Sequence, residues 1–143
     1  RREQRQLRQE MRSEHRERMM AGDEAFLLDR DRGPVRRYVR DIVDARRNLL
    51  GLFIPSAIVL LFLTMSMPLE IQRFVSLGLL LLMVAMAVDA VLLGRRVSRL
   101  VDVKFPDNTE ARWRLSMYAA SRASQLRRMR APRPRVNRGD PVD

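Results

Sequence analysis

The chain has 143 residues and a formal net charge of +11, and every basic residue is an arginine except Lys104. It contains no cysteine, which excludes disulfides, thiolate catalysis and cysteine-ligated metals, and its one histidine, His15, sits in a charged stretch. An excess of positive charge attracts anionic headgroups and nucleic acid alike, so charge by itself does not choose between them.

Residues 1–33 read as a polar helix followed by a loop. Up to Ala21 there is no glycine or proline, and Arg, Gln and Glu, all good helix formers, dominate. Leu7, Met11 and Met19 make only a thin apolar stripe. A helix polar nearly all round is solvated or held by a partner, and solvation is the expectation here. Gly22 with Asp23 ends it. Phe26-Leu27-Leu28 is a short apolar cluster expected to dock on the bilayer surface or on neighbouring helices, before a charged turn that closes at Gly33.

Pro34, well suited to the first helical position, opens an amphipathic helix over residues 34–48. Val35, Tyr38, Val39, Ile42 and Ala45 share one face, and Arg36, Arg37, Arg40, Asp41, Asp44 and Arg47 the other. The pattern predicts a helix lying in the membrane interface, with Tyr38 at headgroup depth and Arg36, Arg37 and Arg40 on anionic lipid. No breaker separates it from the apolar stretch that follows. Around Asp41, Asp44 and Arg46, the glycine and further aspartates of a phospholipid-head transferase signature are missing.

Residues 49–93 hold two apolar blocks. The first, 49–67, is nineteen residues without a charge, and the second, 74–93, is twenty residues with one charge, Asp89. As helices they cover about 28–30 Å, close to the ~30 Å hydrocarbon core of a bilayer. They are too long and too evenly apolar for surface helices, and the rest of the chain is too polar to cover them as a soluble core. The fold class expected is therefore all-α: a transmembrane helical hairpin of two spans, reversing over residues 68–73, with amphipathic helices at both ends. Pro55 removes a backbone donor and predicts a bend, which Ser56 helps to satisfy. Ala87, Ala90 and Gly94 form a small-residue face for close approach of the first span or of a second copy. Asp89 lies about 9 Å from the Arg95 flank. It predicts a carboxylate paired with Arg46, Arg47 or a partner's base rather than an ion path.

Arginine placement sets the orientation. Arg36, Arg37, Arg40, Arg46 and Arg47 precede the first block, Arg95, Arg96 and Arg99 follow the second, and the reversal has only Arg73 beside Glu70. The positive-inside rule then puts both termini on the cytoplasmic side of a plasma (inner) membrane.

Residues 94–106 continue the second helix and break at Phe105-Pro106. In residues 107–129, Asp107-Asn108-Thr109-Glu110 predicts a capping box opening a basic amphipathic helix. Leu115, Tyr118 and Ala119 mark its apolar face, widened by Trp113 and Met117 and flanked by Arg112, Arg114, Arg122 and Arg127. An indole beside arginines suits a membrane surface or a partner's groove. Residues 130–143, rich in proline and arginine, predict an extended or disordered tail. Arg95, Arg96, Arg99, Arg127, Arg128 and Arg130 complete the set expected on anionic lipid.

The stretches Arg18-Met-Met-Ala-Gly-Asp23, Asp31-Arg-Gly-Pro-Val-Arg-Arg-Tyr-Val-Arg-Asp41 and Met129-Arg-Ala-Pro-Arg-Pro-Arg-Val136 flank the two apolar blocks. With them the chain resembles a family of uncharacterised actinobacterial two-span membrane proteins. The likeness covers most of the chain, implies the same topology and a charged, largely disordered extension before Arg1, and brings no activity with it. No paired nucleophile and base, metal-ligand cluster or glycine-rich phosphate loop is legible, so neither catalysis nor a cofactor is expected. The expectation is an accessory subunit or adaptor that assembles through its hairpin with a larger membrane complex or with itself, and touches anionic lipid. The alternatives are a membrane anchor for anionic partners such as RNA or ribosomes, and a small homo-oligomeric channel. A tail without aromatic residues disfavours stacking on nucleic acid.

Overall fold

A computed structural model describes residues 1–142. Five α-helices and three short 3₁₀ turns account for the regular structure, and there is no strand among the described residues. Helix α1 (Arg2–Ala21) has no buried residue, in keeping with its polar sequence. Its end is fixed by Gly22 at φ 86°, where the left-handed conformation lets the backbone return to the carbonyls of Arg18 and Met19.

Helix α2 (Pro34–Ala45) starts at the proline, as expected, but its surroundings differ from the sequence reading. Every residue from Tyr38 to Asp44 is buried, charged ones included. The helix packs on α4 and α5, and its apolar face is covered by protein. It also stops short of the apolar stretch. Arg46 is extended, and the Asn48 amide donates to the carbonyls of Val43 at 2.8 Å and Arg46 at 3.3 Å, replacing bonds that a continuous helix would supply.

A 3₁₀ turn over Leu49–Leu52 leads into α3 (Phe53–Ser66). Pro55 therefore sits in the first turn of α3, where its missing N–H has no intrahelical partner to lose. The expected mid-helix bend is replaced by this entry turn. The reversal is also tighter than predicted, since only Met67 and Pro68 separate α3 from α4 (Leu69–Lys104). Helix α4 has 36 residues and runs about 54 Å before the predicted break at Phe105. Leu49–Ser66 and Leu69–Lys104 are both long and apolar enough to cross a membrane. They run antiparallel: Ser66 and Leu69 are neighbours in the chain at one end, and the Leu49 N–H donates to Asp89 of α4 at the other.

Burial divides α4 in two. No residue of α3 is buried, and in α4 burial begins only at Met86, continuing through Asp89, Leu93, Gly94, Val97 and Val101. That spacing of three to four residues is one stripe of the helix. Leu93, Val97 and Val101 meet Tyr38, Val39, Ile42 and Val43 of α2, and Leu115, Ala119 and Ala123 of α5 (Arg112–Ser124), forming the hydrophobic core. One helix thus presents an exposed apolar half and a packed half.

Helix α5 is shorter than the capping-box reading predicts. Residues 107–111 are irregular, Ala111 takes the N-cap position, and Glu110 is drawn away by Arg36. The tail is irregular, as predicted, yet docked rather than disordered. The Arg133 N–H donates to the carbonyl of Met20 at 2.9 Å and the Gly139 N–H to that of Ala45 at 2.8 Å, while Val142 rests against the core.

Candidate functional site

Where the apolar halves of α3 and α4 meet the packed end, charged side chains are concentrated, and most of them are spent on one another. Asp89 accepts from Arg46 at 2.5 Å and from the Leu49 N–H at 3.0 Å, joining the foot of the first apolar segment to α4. The carboxylate is buried and has the expected arginine partner, one of the two named from the sequence.

Below it lies a second buried acid that the sequence reading placed on a polar outer face. Asp44 is 1 % exposed and accepts from Arg122 at 2.7 and 3.1 Å and from Arg130 at 2.8 Å. Arg122 also donates to the Pro132 carbonyl at 2.9 Å, and Arg127 donates to the Asp44 carbonyl at 2.6 Å. Burial pulls the Arg130 guanidinium below its ordinary value, and Asp44 opposes that pull. Arg135 pairs with Asp41, whose hydrogen bond holds its guanidinium above the ordinary value against partial burial.

These pairings correct several assignments to anionic lipid. Arg130 is buried on Asp44. Arg40 is buried with its guanidinium on the Asp31 carbonyl. Arg36 bridges to Glu110 at 2.5 Å and lies over the Tyr118 ring, and Arg37 pairs with Glu24 at 3.2 Å. Arg127 spans the Asp44 and Val136 carbonyls. Arg130, Arg40, Arg36 and Arg127 are thus held inside the protein by a carboxylate or carbonyls, whereas the Arg37–Glu24 pair lies at the surface. Tyr38 is likewise 8 % exposed, edge-on to Phe105 with the Lys104 ammonium 4.5 Å over its ring, so its ring is spent on protein contacts.

Tyr118 donates to the buried Asp31 carboxylate at 2.7 Å. Burial first, and then this carboxylate, push its phenol up from 10.0 to about 12. With the folded-state value raised, the contribution to stability is complete below pH 10 and is lost as pH climbs from 10 to about 12. Ultraviolet phenolate titration should therefore show a late-ionising tyrosine that Tyr118→Phe removes. A late step that survives the substitution contradicts the assignment.

The small-residue face is split. Ala87 is exposed, while Gly94 is buried against α5 rather than against α3 or a second copy. A Cβ at Gly94 would meet Ser116 Cβ and Oγ at 3.0 Å, and the Ser116 hydroxyl donates to the Gly94 carbonyl at 3.3 Å. Beside this crossing, Ala90, Arg95, Arg99, Trp113 and Met117 line an open groove between α4 and α5. Trp113 is 65 % exposed there, with Arg95, Arg99 and Arg96 also exposed nearby on α4 and Arg128 exposed beyond α5.

Apolar helices with bare faces, joined to a packed helical end by a pinned carboxylate, define an all-α chain among the described residues. Residues 1–140 match the family described as protein of unknown function DUF3043, and the chain belongs to that family. An uncharacterized protein of Mycobacterium tuberculosis (strain H37Rv) is 65 % identical over 130 residues, covering 91 % of this chain and 55 % of the relative. An uncharacterized protein of Mycobacterium leprae is 60 % identical over 130 residues, covering 91 % of this chain and 56 % of the relative. The chain thus spans a little over half the length of these relatives. No solved structure matches it.

Proposed function

We propose that this chain is a non-enzymatic accessory subunit or adaptor of the plasma membrane. It crosses the bilayer twice as a transmembrane hairpin of α3 and the first half of α4, with both termini cytoplasmic. It assembles through the hairpin with a larger membrane complex or with a second copy. The observation that carries this reading is the division of α4: uncharged and unburied from Phe74 to Ala85, packed into a core from Met86 on. In water, such a bare apolar surface on two helices would be strongly unfavourable, whereas lipid or a membrane partner covers it without loss. The commitment of Asp31, Asp41, Asp44 and Asp89 to tyrosine, arginine or backbone donors supports a structural role for them over a catalytic one. The docked helices then form a rigid unit fixed to the spans, with Trp113 and the free arginines toward the headgroups.

The absence of cysteine makes a direct test available. Leu61 and Leu80 are exposed apolar residues of α3 and α4. Leu61→Cys and Leu80→Cys should give specific crosslinks in native membranes, either to a second copy or to one recurring membrane protein. A chain that meets no protein neighbour from either position contradicts the adaptor reading.

A further inference from the structure

Most arginines at the packed end are paired; besides the exposed Arg95, Arg99 and Arg128, a second group converges on one cleft. A cleft of about 540 Å3 opens between the end of α2, the second half of α4 and the docked tail, and Arg46, Arg47, Arg96 and Arg138 line it. Arg47, Arg96 and Arg138 are exposed, with no ion pair or side-chain hydrogen bond among the described residues. Arg46 spends one terminal nitrogen on Asp89, while its Nη1 is buried without a hydrogen-bond partner. Among the described residues the one acid in the wall, Asp140, accepts from the Asn137 N–H at 2.7 Å within its own turn. Arg47, Arg96 and Arg138 against Asp140, beside the Arg46–Asp89 pair, leave the cleft with an excess of positive charge, and a buried donor lacking an acceptor is unfavourable until an acceptor arrives.

The wall is a defined part of the fold. Gly139 takes φ +91°, a conformation that other residues rarely adopt, and its N–H closes on the Ala45 carbonyl. The height of the cleft is equally defined. Arg47 lies two residues before Leu49, where the first apolar segment starts, and Arg96 lies three residues after Leu93. The Arg46–Asp89 pair ties the two levels together. If α3 and α4 span a bilayer, that is the depth of the phosphates of the near leaflet.

We propose that this cleft binds the phosphate of an anionic phospholipid headgroup, held by Arg46, Arg47, Arg96 and Arg138. The proposal rests on the membrane-spanning reading above. Planar guanidiniums match phosphate oxygens with paired donors, and the hydrogen bonds are charge-assisted. The acyl chains would lie along the bare faces of α3 and α4, which a soluble phosphate has no means to use.

The test uses the full chain purified in neutral detergent, titrated with short-chain phosphatidylglycerol and, in parallel, with phosphatidylcholine and glycerol phosphate. Binding is read by native mass spectrometry and by the thermal shift. The variant R47Q/R138Q removes two exposed cleft arginines, and R95Q/R99Q removes the same charge at the same height on the neighbouring side of α4. The expected result is preference for phosphatidylglycerol, weakened about tenfold by R47Q/R138Q and clearly less by R95Q/R99Q. Equal weakening by both pairs would mean diffuse attraction and overturns the site. Equal binding of glycerol phosphate overturns the assignment to lipid. Alkaline extraction of membranes separates the two levels of inference. A chain that stays in the pellet yet shows no preference for phosphatidylglycerol contradicts the headgroup site alone, and a chain released to the supernatant contradicts the spanning reading as well.

Discussion

Asp44→Asn should lower the stability of the packed end by about 3–5 kcal/mol, the usual consequence of removing one member of a buried ion pair. The substitution keeps the shape of the side chain and removes its charge. Arg122 and Arg130 would then be two buried cations side by side with no counter-charge, since their remaining partners are carbonyls. The easiest relief is for the tail to leave, taking Arg130 into water. Denaturation in detergent should therefore show the loss together with new protease sensitivity around residues 130–138. Replacing Asp44, Arg122 and Arg130 together by apolar residues of similar volume should restore much of the stability, because no unpaired charge remains. An Asp44→Asn protein with an unchanged unfolding transition and a resistant tail would contradict the proposed structural role.

The second large effect concerns the helix crossing. Gly94→Leu should destabilise by about 1–3 kcal/mol and loosen α5, because a side chain there runs into Ser116 of a packed helix. Gly78 provides an internal comparison on the same helix, with nothing within 4 Å of its would-be Cβ. Gly78→Leu should be neutral or stabilising, since leaving glycine improves helix propensity by up to about 1 kcal/mol. If both substitutions behave alike, Gly94 is not a packing contact. Fluorescence of Trp113, the single tryptophan, reports on α5 directly in these variants.

The contrast between these two glycines also shows what the sequence could reveal. Both lie in an apolar helix, and the pattern Ala87, Ala90, Gly94 marks a surface for close approach without naming what approaches. The partner is α5, which folds back across the seven-residue link 105–111; the break was legible, the place where α5 docks was not. Elements governed by local chemistry were legible: the start of α2 at Pro34, the end of α1 at Gly22, the break after Lys104, the apolar segments by length, and the pairing of Asp89 with Arg46. Elements governed by long-range pairing were not. The polar face of α2 looks solvated because Asp41 and Asp44 find their arginines 78 to 94 residues away, on α5 and the tail. The same pairing explains the docked tail, since Pro-rich segments lack regular hydrogen bonds and need outside anchors to be ordered. Glu110 had a plausible local role in a capping box, and Arg36, 74 positions earlier, claimed it instead. A clue was present all the same. An arginine-rich end holding two aspartates on successive turns of an amphipathic helix calls for internal pairing as readily as for lipid.

The central claim is that α3 and α4 cross a bilayer with both chain ends on the cytoplasmic side. Single-cysteine labelling with a membrane-impermeant maleimide on intact cells tests it most directly, since the chain brings no cysteine of its own. Glu70→Cys, at the exposed reversal between the helices, should label from outside, whereas Arg5→Cys and Arg128→Cys should label only after the cells are opened. External labelling at Arg128, or no external labelling at Glu70, would contradict the arrangement.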